Sequence, residues 1–168
     1  MTPETKLDPR FSSEGATPAE WPAARDQLRD AMTYQLTTIR ADGRPHQTTI
    51  AGIWLDDRFS FTTSSGEQKA RNLEAGNHQV IVSAGSSGWD GMDVVLEGDA
   101  LGVTDADRLR GLVDAYREKY DDWFGFRLED GQFTAPGAPG PALVYDVQPR
   151  KAFGFTKGDT FSQTRWRF

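Results

Sequence analysis

The segment with the clearest chemical potential covers residues 64–73, where a predicted strand runs into a predicted helix through small polar residues. A helix start offers unpaired N–H groups and the positive end of the helix dipole, so it favours an anion. Lys69 lies about one turn into this helix, on the same side as Asn72, and is expected to be a mobile, exposed cation. The residues fit a capped surface helix equally well, because Ser65 and Gln68 have capping-box spacing. Both interpretations, an anion site and an ordinary capped helix, stay open.

A second candidate lies in the predicted last strand, Phe161–Phe168. Alternation places Gln163, Arg165 and Arg167 on one face of this strand and Trp166 on the other. Two arginines separated by roughly 7 Å along one face can clamp a carboxylate or a phosphate. The same pattern is also typical of a solvated edge strand that resists aggregation, and an aromatic residue in such a strand usually packs on a core.

A third candidate is the polar strand that follows the first predicted hairpin. It contains the pair Thr48 and Thr49 and a glycine, Gly52. A glycine within a strand permits close approach of a ligand or of another backbone segment, and it fits a bulge or simple packing as well.

Composition excludes several other kinds of chemistry. The chain has no cysteine, which removes disulfides, thiolate metal sites and a cysteine nucleophile. Its two histidines, His46 and His78, do not have metal-ligand spacing, so we expect no metal site. No glycine-rich nucleotide motif, P-loop or hydrolase signature is present.

Charge and hydropathy bear on partners and location. The net charge of −6 argues against a nucleic-acid surface, which requires a basic stripe. No apolar run approaches the ~20 residues of a membrane helix, and the first residues carry no apolar signal segment. We therefore expect a cytoplasmic protein with no nucleic-acid or membrane partner.

The elements that must position the candidate residues are mainly strands. We take residues 1–17 as an N-terminal arm and residues 18–168 as a single domain, which suits the length of 168 residues. Thr17 and Thr104 are the expected N-caps of two amphipathic helices. Strands are expected at 34–40, 45–55, 58–63, 78–84, 92–103, 142–155 and 161–168. This order predicts a mainly β fold with short α-helices, an antiparallel Greek-key-like barrel.

Three segments together resemble the flavin split barrels related to pyridoxamine 5′-phosphate oxidase. They are Thr37–His46, Gln68–Leu73 and Thr164–Phe168, and their order and spacing are similar to the family pattern. The resemblance covers roughly residues 18–168. It implies an FMN-binding split β-barrel and a homodimer with two flavins at the subunit interface.

The resemblance also implies a cofactor site. The flavin ring would lie along the second strand of the first hairpin, and the end of the next strand and the following helix start would bind the ribityl phosphate. Lys69 matches the phosphate lysine of the family, whereas Gln68 stands where relatives often have arginine. The expected cofactor-binding residues are Gln47, Thr48, Thr49, Ile50, Ala51, Thr62, Thr63, Gln68, Lys69, Asn72, Arg165 and Trp166. No catalytic residue is assigned, because the cofactor itself performs the chemistry.

The same resemblance implies a class of substrate, cofactor and reaction. True vitamin B6 oxidases end in an Arg-Leu-His-like segment, but this chain ends in Thr-Arg-Trp-Arg-Phe, so we expect a different substrate. Relatives use FMN or the deazaflavin coenzyme F-420. We expect FMN, with the deazaflavin as the alternative, and hydride transfer to or from an unidentified small molecule. The other candidates are a flavin carrier or sensor without turnover and a haem-utilisation relative, whose axial ligand would be a histidine, methionine or tyrosine.

Overall fold

The computed structural model describes residues 2–168 and builds them into one large antiparallel sheet, a small hairpin and three α-helices. The strands are β1 (Glu4–Leu7), β2 (Tyr34–Ile39), β3 (Pro45–Ile50), β4 (Ile53–Leu55), β5 (Arg58–Thr63), β6 (Gln79–Ala84), β7 (Gly91–Gly102), β8 (Arg127–Glu129), β9 (Gln132–Thr134), β10 (Leu143–Lys157) and β11 (Ser162–Arg167). The helices are α1 (Trp21–Asp30), α2 (Gln68–Glu74) and α3 (Ala106–Lys119). Among residues 2–168, no helix is long and apolar enough to cross a membrane.

The large sheet is centred on β10, which pairs with β7 over most of its length and with both β5 and β11 on its other edge. The main path runs β1-β11-β10-β7-β6-β2-β3, and β4 joins it through β5. Within the described residues, β3 pairs only with β2 and β4 pairs only with β5, so the sheet is open between β3 and β4. This is the predicted mainly β fold of the split-barrel type.

The opening of the barrel falls where the sequence predicted a continuous strand, residues 45–55. That prediction is wrong, because the strand stops at Ile50 and restarts at Ile53. Gly52 packs directly on the ring of Phe59, since a Cβ atom built on it would lie 2.2 Å from that ring. The close approach redirects the chain from β2 to β5, where Ile53 pairs with Ser60.

The first helix begins later than predicted. Its N-cap is Glu20 and not Thr17, because the preceding segment is bound to β11 through a 2.8 Å hydrogen bond from the Ala19 amide to Thr164 Oγ1. The predicted buried stripe is correct, and it includes Trp21 and Leu28.

The third helix differs from its prediction only in the residue at which it starts. The N-cap is Asp105, whose carboxylate accepts a hydrogen bond from the Arg108 amide, and not the expected Thr104. Its predicted apolar stripe is confirmed by the burial of Leu109, Leu112, Val113 and Tyr116. Sequence reasoning missed the β8–β9 hairpin that packs beside this helix.

The N-terminal arm contains a strand. β1 pairs with β11 and sets Lys6 directly opposite Arg165. The arm therefore extends the sheet at the end of the path that lies furthest from β3.

Candidate functional site

The open side of the barrel exposes the outer edge of β3. Among the described residues this edge has no strand partner, so part of its backbone N–H and C=O groups face away from the sheet. Edge strands are usually protected by charged residues, but β3 reads Pro-His-Gln-Thr-Thr-Ile and holds no Lys, Arg, Asp or Glu. A neutral polar edge of this kind can offer hydrogen bonds to a planar ligand.

Helix α2 is fixed beside the first hairpin by a buried hydrogen-bond chain. Asn72 Nδ2 donates to Thr38 Oγ1 at 2.8 Å, and Gln68 Nε2 donates to Asn72 Oδ1 at 2.8 Å. Thr38 lies opposite His46 in the β2–β3 register. Asn72 and Gln68 therefore position α2 next to β3, and both amide groups are already engaged within the protein.

Lys69 is the largest departure from expectation in this region. Its side chain is only 8% exposed, and Nζ donates to Glu67 Oε1 at 2.6 Å. The expectation of an exposed surface lysine is wrong, because α2 turns the face shared by Lys69, Asn72 and Leu73 into the protein. The capping box of Ser65 and Gln68 does not form either, since the helix begins at Gln68 with Glu67 as its N-cap.

Glu67 receives two further hydrogen bonds through its other carboxylate oxygen. Thr63 Oγ1 donates to it at 2.8 Å and the Ser64 amide donates at 2.9 Å. Partial burial raises the pKa of Glu67, but the hydrogen bonds from Lys69, Ser64 and Thr63 outweigh this effect and leave the pKa below its ordinary value. The carboxylate is therefore ionised at neutral pH. It links the end of β5 to Lys69.

His46 lies on β3 with one ring nitrogen unsatisfied. Its Nδ1 atom is buried and has no hydrogen-bond partner among the described residues. Burial lowers the pKa of His46, and the positive charges of Arg40 and Lys69 lower it further. The imidazole is therefore neutral at pH 7, with a buried Nδ1 atom that no described group engages. Sequence reasoning considered His46 as a metal ligand, a haem ligand or an ordinary histidine, and its pattern gave no signal of the buried, unpartnered nitrogen.

The other predicted residues of β3 divide between the two faces of the strand. Gln47 Nε2 donates to Thr37 Oγ1 at 3.3 Å, and Gln35 Nε2 donates to Thr49 Oγ1 at 3.0 Å, on the exposed face. The opposite face carries Thr48, which is half-buried, and Ile50, which is buried. Ala51 lies in the break that follows β3, and Thr62 is half-buried near the end of β5.

The break after β3 is held by two residues that sequence reasoning missed. Lys119 Nζ donates to the Gly52 carbonyl at 3.1 Å and to Tyr34 Oη at 2.6 Å. Tyr120 Oη accepts a hydrogen bond of 3.0 Å from the Gly52 amide. Burial lowers the pKa of Lys119 to about 8. Both residues lie at the C-terminal end of α3, so this helix fixes the end of the exposed strand.

Arg165 lies in a different part of the same sheet. It lines a concavity of about 510 Å³ together with Lys6, Arg167 and Phe153. Among residues 2–168, no carboxylate makes a salt bridge with Lys6, Arg165 or Arg167, although Lys151 in the same concavity is paired with Glu97. The concavity is therefore a cationic site with an aromatic side wall.

The distance between Arg165 and β3 matters for the predicted site. Five strand spacings separate β11 from β3, which is roughly 24 Å along the sheet. Arg165 and Gln47 therefore lie on strands of the protomer that are not neighbours in the sheet. Trp166 points to the opposite face and is fully buried, so its ring offers no exposed surface within the protomer.

A family-wide sequence profile described as "Pyridoxamine 5'-phosphate oxidase" matches residues 21–153 of this chain. The chain belongs to the pyridoxamine 5′-phosphate oxidase family. The match includes the β2–β3 hairpin, the end of β5 and α2, which together form the open side of the barrel. No curated protein sequence matches the chain.

Solved structures with the same fold carry several different descriptions. An F420 reductase is 23% identical and superposes with a TM-score of 0.57, covering 76% of this chain and 94% of that one. HutZ, described as a heme storage protein from Vibrio cholerae, is 20% identical with a TM-score of 0.61, covering 82% and 94%. General stress protein 26 from Bacillus anthracis is 18% identical with a TM-score of 0.59, covering 79% and 91%. At these identities the likeness shows the family fold alone.

Proposed function

We propose that this member of the family is a flavin- or deazaflavin-dependent oxidoreductase, with FMN as the first candidate cofactor. It works as a cytoplasmic homodimer and transfers hydride to or from a small organic molecule. The observation that carries the proposal is the unpaired edge of β3, which holds no charged residue and lies at the open side of the barrel. Family membership and the fold shared with an F420 reductase support the same cofactor class.

The residues at the open side suit a planar cofactor. A flavin-type ring is flat, apolar on its faces and lined with hydrogen-bonding atoms at its edge. The free backbone edge of β3 supplies alternating donors and acceptors for such an edge. Thr48 lies on the same face of β3 as His46 and would contact the ring. A bound flavin or deazaflavin supplies the hydride chemistry itself.

The protein contributes orientation and electrostatics. Lys119 and Tyr120 fix the backbone at Gly52, so the end of β3 keeps one geometry while a ligand enters or leaves. His46 is neutral at pH 7, so it adds no positive charge to β3. No acid–base pair of the kind found in hydrolases is required, because the redox step belongs to the cofactor.

The position of Arg165 supports the homodimer. This residue lines an exposed cationic concavity, and five strand spacings, roughly 24 Å measured along the curved sheet, separate its strand from β3. A second copy of the chain, packed so that its cationic concavity faces β3, would bring Arg165 to the cofactor of the first copy. It would also cover the open edge of β3, which a water-exposed protomer leaves unprotected.

The test is a titration of purified apo-protein with FMN and with the deazaflavin, followed by absorbance, with the oligomeric state measured by light scattering. Saturable binding to a dimer and turnover of the reduced cofactor with an acceptor support the proposal. Failure to bind either cofactor, or binding by a stable monomer, contradicts it.

A second candidate function is haem binding. The neutral imidazole of His46 on β3 favours it, because histidine is a common axial ligand of haem. The same titration with haemin distinguishes the two, since a sharp Soret band that disappears in His46→Ala supports haem. A flavin that binds but never turns over supports a carrier or sensor.

A further inference from the structure

The carboxylate of Glu67 is held by three donors that converge from three residues. Lys69 Nζ, Thr63 Oγ1 and the Ser64 amide lie 2.6, 2.8 and 2.9 Å from its two oxygens. One ammonium, one hydroxyl and one amide make up the kind of donor set that binds a phosphate group. In this chain, one of its own side chains already occupies that donor set.

We propose that Glu67 is a specificity-determining residue whose carboxylate takes the position of a ligand phosphate beside Lys69. This inference rests on the proposed flavin site. As a consequence, the protein gains little affinity from the terminal phosphate of FMN and recognises the ring system instead. A flavin without the phosphate, such as riboflavin, binds almost as well.

Because Lys69 is buried, it cannot bind both the Glu67 carboxylate and a ligand phosphate at the same time. Its side chain is 8% exposed, so it has little freedom to move toward a second partner. A phosphate that approached Lys69 with Glu67 in place would meet a negative charge at hydrogen-bond distance from the same ammonium. The two anions repel each other, and the phosphate gains little from the lysine.

Of the two residues in the ion pair, Glu67 is the one whose side chain can move away. Its side chain is 47% exposed, in contrast to the buried Lys69. If a phosphate displaced it, three hydrogen bonds to Glu67 would be broken before three to the phosphate formed. The net gain is therefore small. Removing only the charge of Glu67 should free Lys69 for the ligand.

The experiment compares FMN with riboflavin, which differ only by the phosphate. Dissociation constants are measured by quenching of flavin fluorescence for the wild type, Glu67→Gln and the control Glu74→Gln. Glu74 is an exposed carboxylate at the end of α2, where the same charge change should not affect the ligand. Thermal unfolding verifies that each variant is folded.

For the wild type, we expect FMN and riboflavin to bind within about threefold of each other. Glu67→Gln should bind FMN about tenfold tighter with riboflavin unchanged, and Glu74→Gln should behave as the wild type. Adding Lys69→Met to Glu67→Gln should abolish the gain for FMN.

The wild-type comparison needs no variant, so it tests the inference even if a substitution prevents folding. A wild type that prefers FMN over riboflavin by tenfold or more overturns the role of Glu67 and leaves the flavin site intact. Binding of neither FMN nor riboflavin overturns this inference and the assignment of FMN, and failure to bind the deazaflavin as well overturns the proposed function.

Discussion

Arg165 and Trp166 are consecutive residues of β11 and point to opposite faces of the sheet. Arg165 lines the cationic concavity on the outer face, whereas Trp166 is fully buried, with its ring 5.5 Å from that of Trp21. Gly154 on the neighbouring strand makes room for this ring, since a Cβ atom there would lie 2.5 Å from it. The two residues, both expected at the cofactor, can therefore be tested separately for folding and for binding.

Trp166→Ala should lower the free energy of unfolding by about 3–5 kcal/mol, because it leaves a large cavity in the main core. Urea denaturation followed by circular dichroism measures the change. A loss below about 1 kcal/mol would contradict the core role of this ring.

Arg165→Ala should weaken binding of the cofactor by about tenfold or more while changing stability by less than about 0.5 kcal/mol. Arg165 has no salt bridge within the described protomer to lose, so its removal affects mainly a ligand or a partner chain. Arg110→Ala, at an exposed position of α3, is the matched control. Equal affinities of the two variants would exclude Arg165 from the site.

Lys69→Met should lower the free energy of unfolding by about 1–2 kcal/mol, since it leaves Glu67 without its cation. For an exposed helix lysine the same change would be within about 0.5 kcal/mol. Chemical denaturation of Lys69→Met beside Arg71→Met, an exposed position of the same helix, makes the comparison. Similar small losses in both would mean that the ion pair with Glu67 contributes little.

Lys119 should make stability depend on pH above neutrality. Burial lowers its pKa from 10.5 to about 8, so below pH 8 the folded and unfolded chains both carry the ammonium. Between pH 8 and 10 the unfolded chain binds more protons, and stability therefore rises with pH. Burial raises the pKa values of Tyr34 and Tyr120, so these two groups oppose the trend as the pH approaches 10, and comparison with a variant of Lys119 isolates the lysine.

The measurement is the difference in unfolding free energy between the wild type and Lys119→Met at pH 7 and at pH 9.5. We expect the wild type to gain up to about 1 kcal/mol relative to the variant, after allowance for solvent screening. A difference that stays constant across this range would mean that Lys119 titrates normally.

Most strands and the helix stripes could be predicted from local patterns. The Asp42-Gly43 pair predicted the first hairpin, where Gly43 has a φ of +83°, and the spacing of Leu109, Leu112 and Tyr116 predicted the buried face of α3. These features depend on residues close together in the chain, so the sequence alone carries the signal.

The failures depend on contacts between distant residues. The break at Gly52 exists because that residue packs on Phe59 and is bound by Tyr120, 68 positions later in the chain. The start of α1 is displaced by a hydrogen bond to Thr164. Lys69 matched the phosphate lysine by position, but only the folded chain places Glu67 against it. For the same reason, the hydrogen-bond partners of the candidate site could not be predicted from the sequence.

The most direct test of the account is the affinity of apo-protein for FMN and for the deazaflavin in the wild type and in Thr48→Trp. Thr48 is half-buried on the face of β3 that carries His46, so a bulky ring there should obstruct ligand binding at the open side of the barrel. We expect saturable binding of at least one cofactor by the wild type, with a dissociation constant of about 10 μM or tighter. We also expect at least a tenfold loss in Thr48→Trp at similar thermal stability. Unchanged affinity in the variant, or no binding by the wild type up to about 1 mM, would contradict a cofactor site on β3.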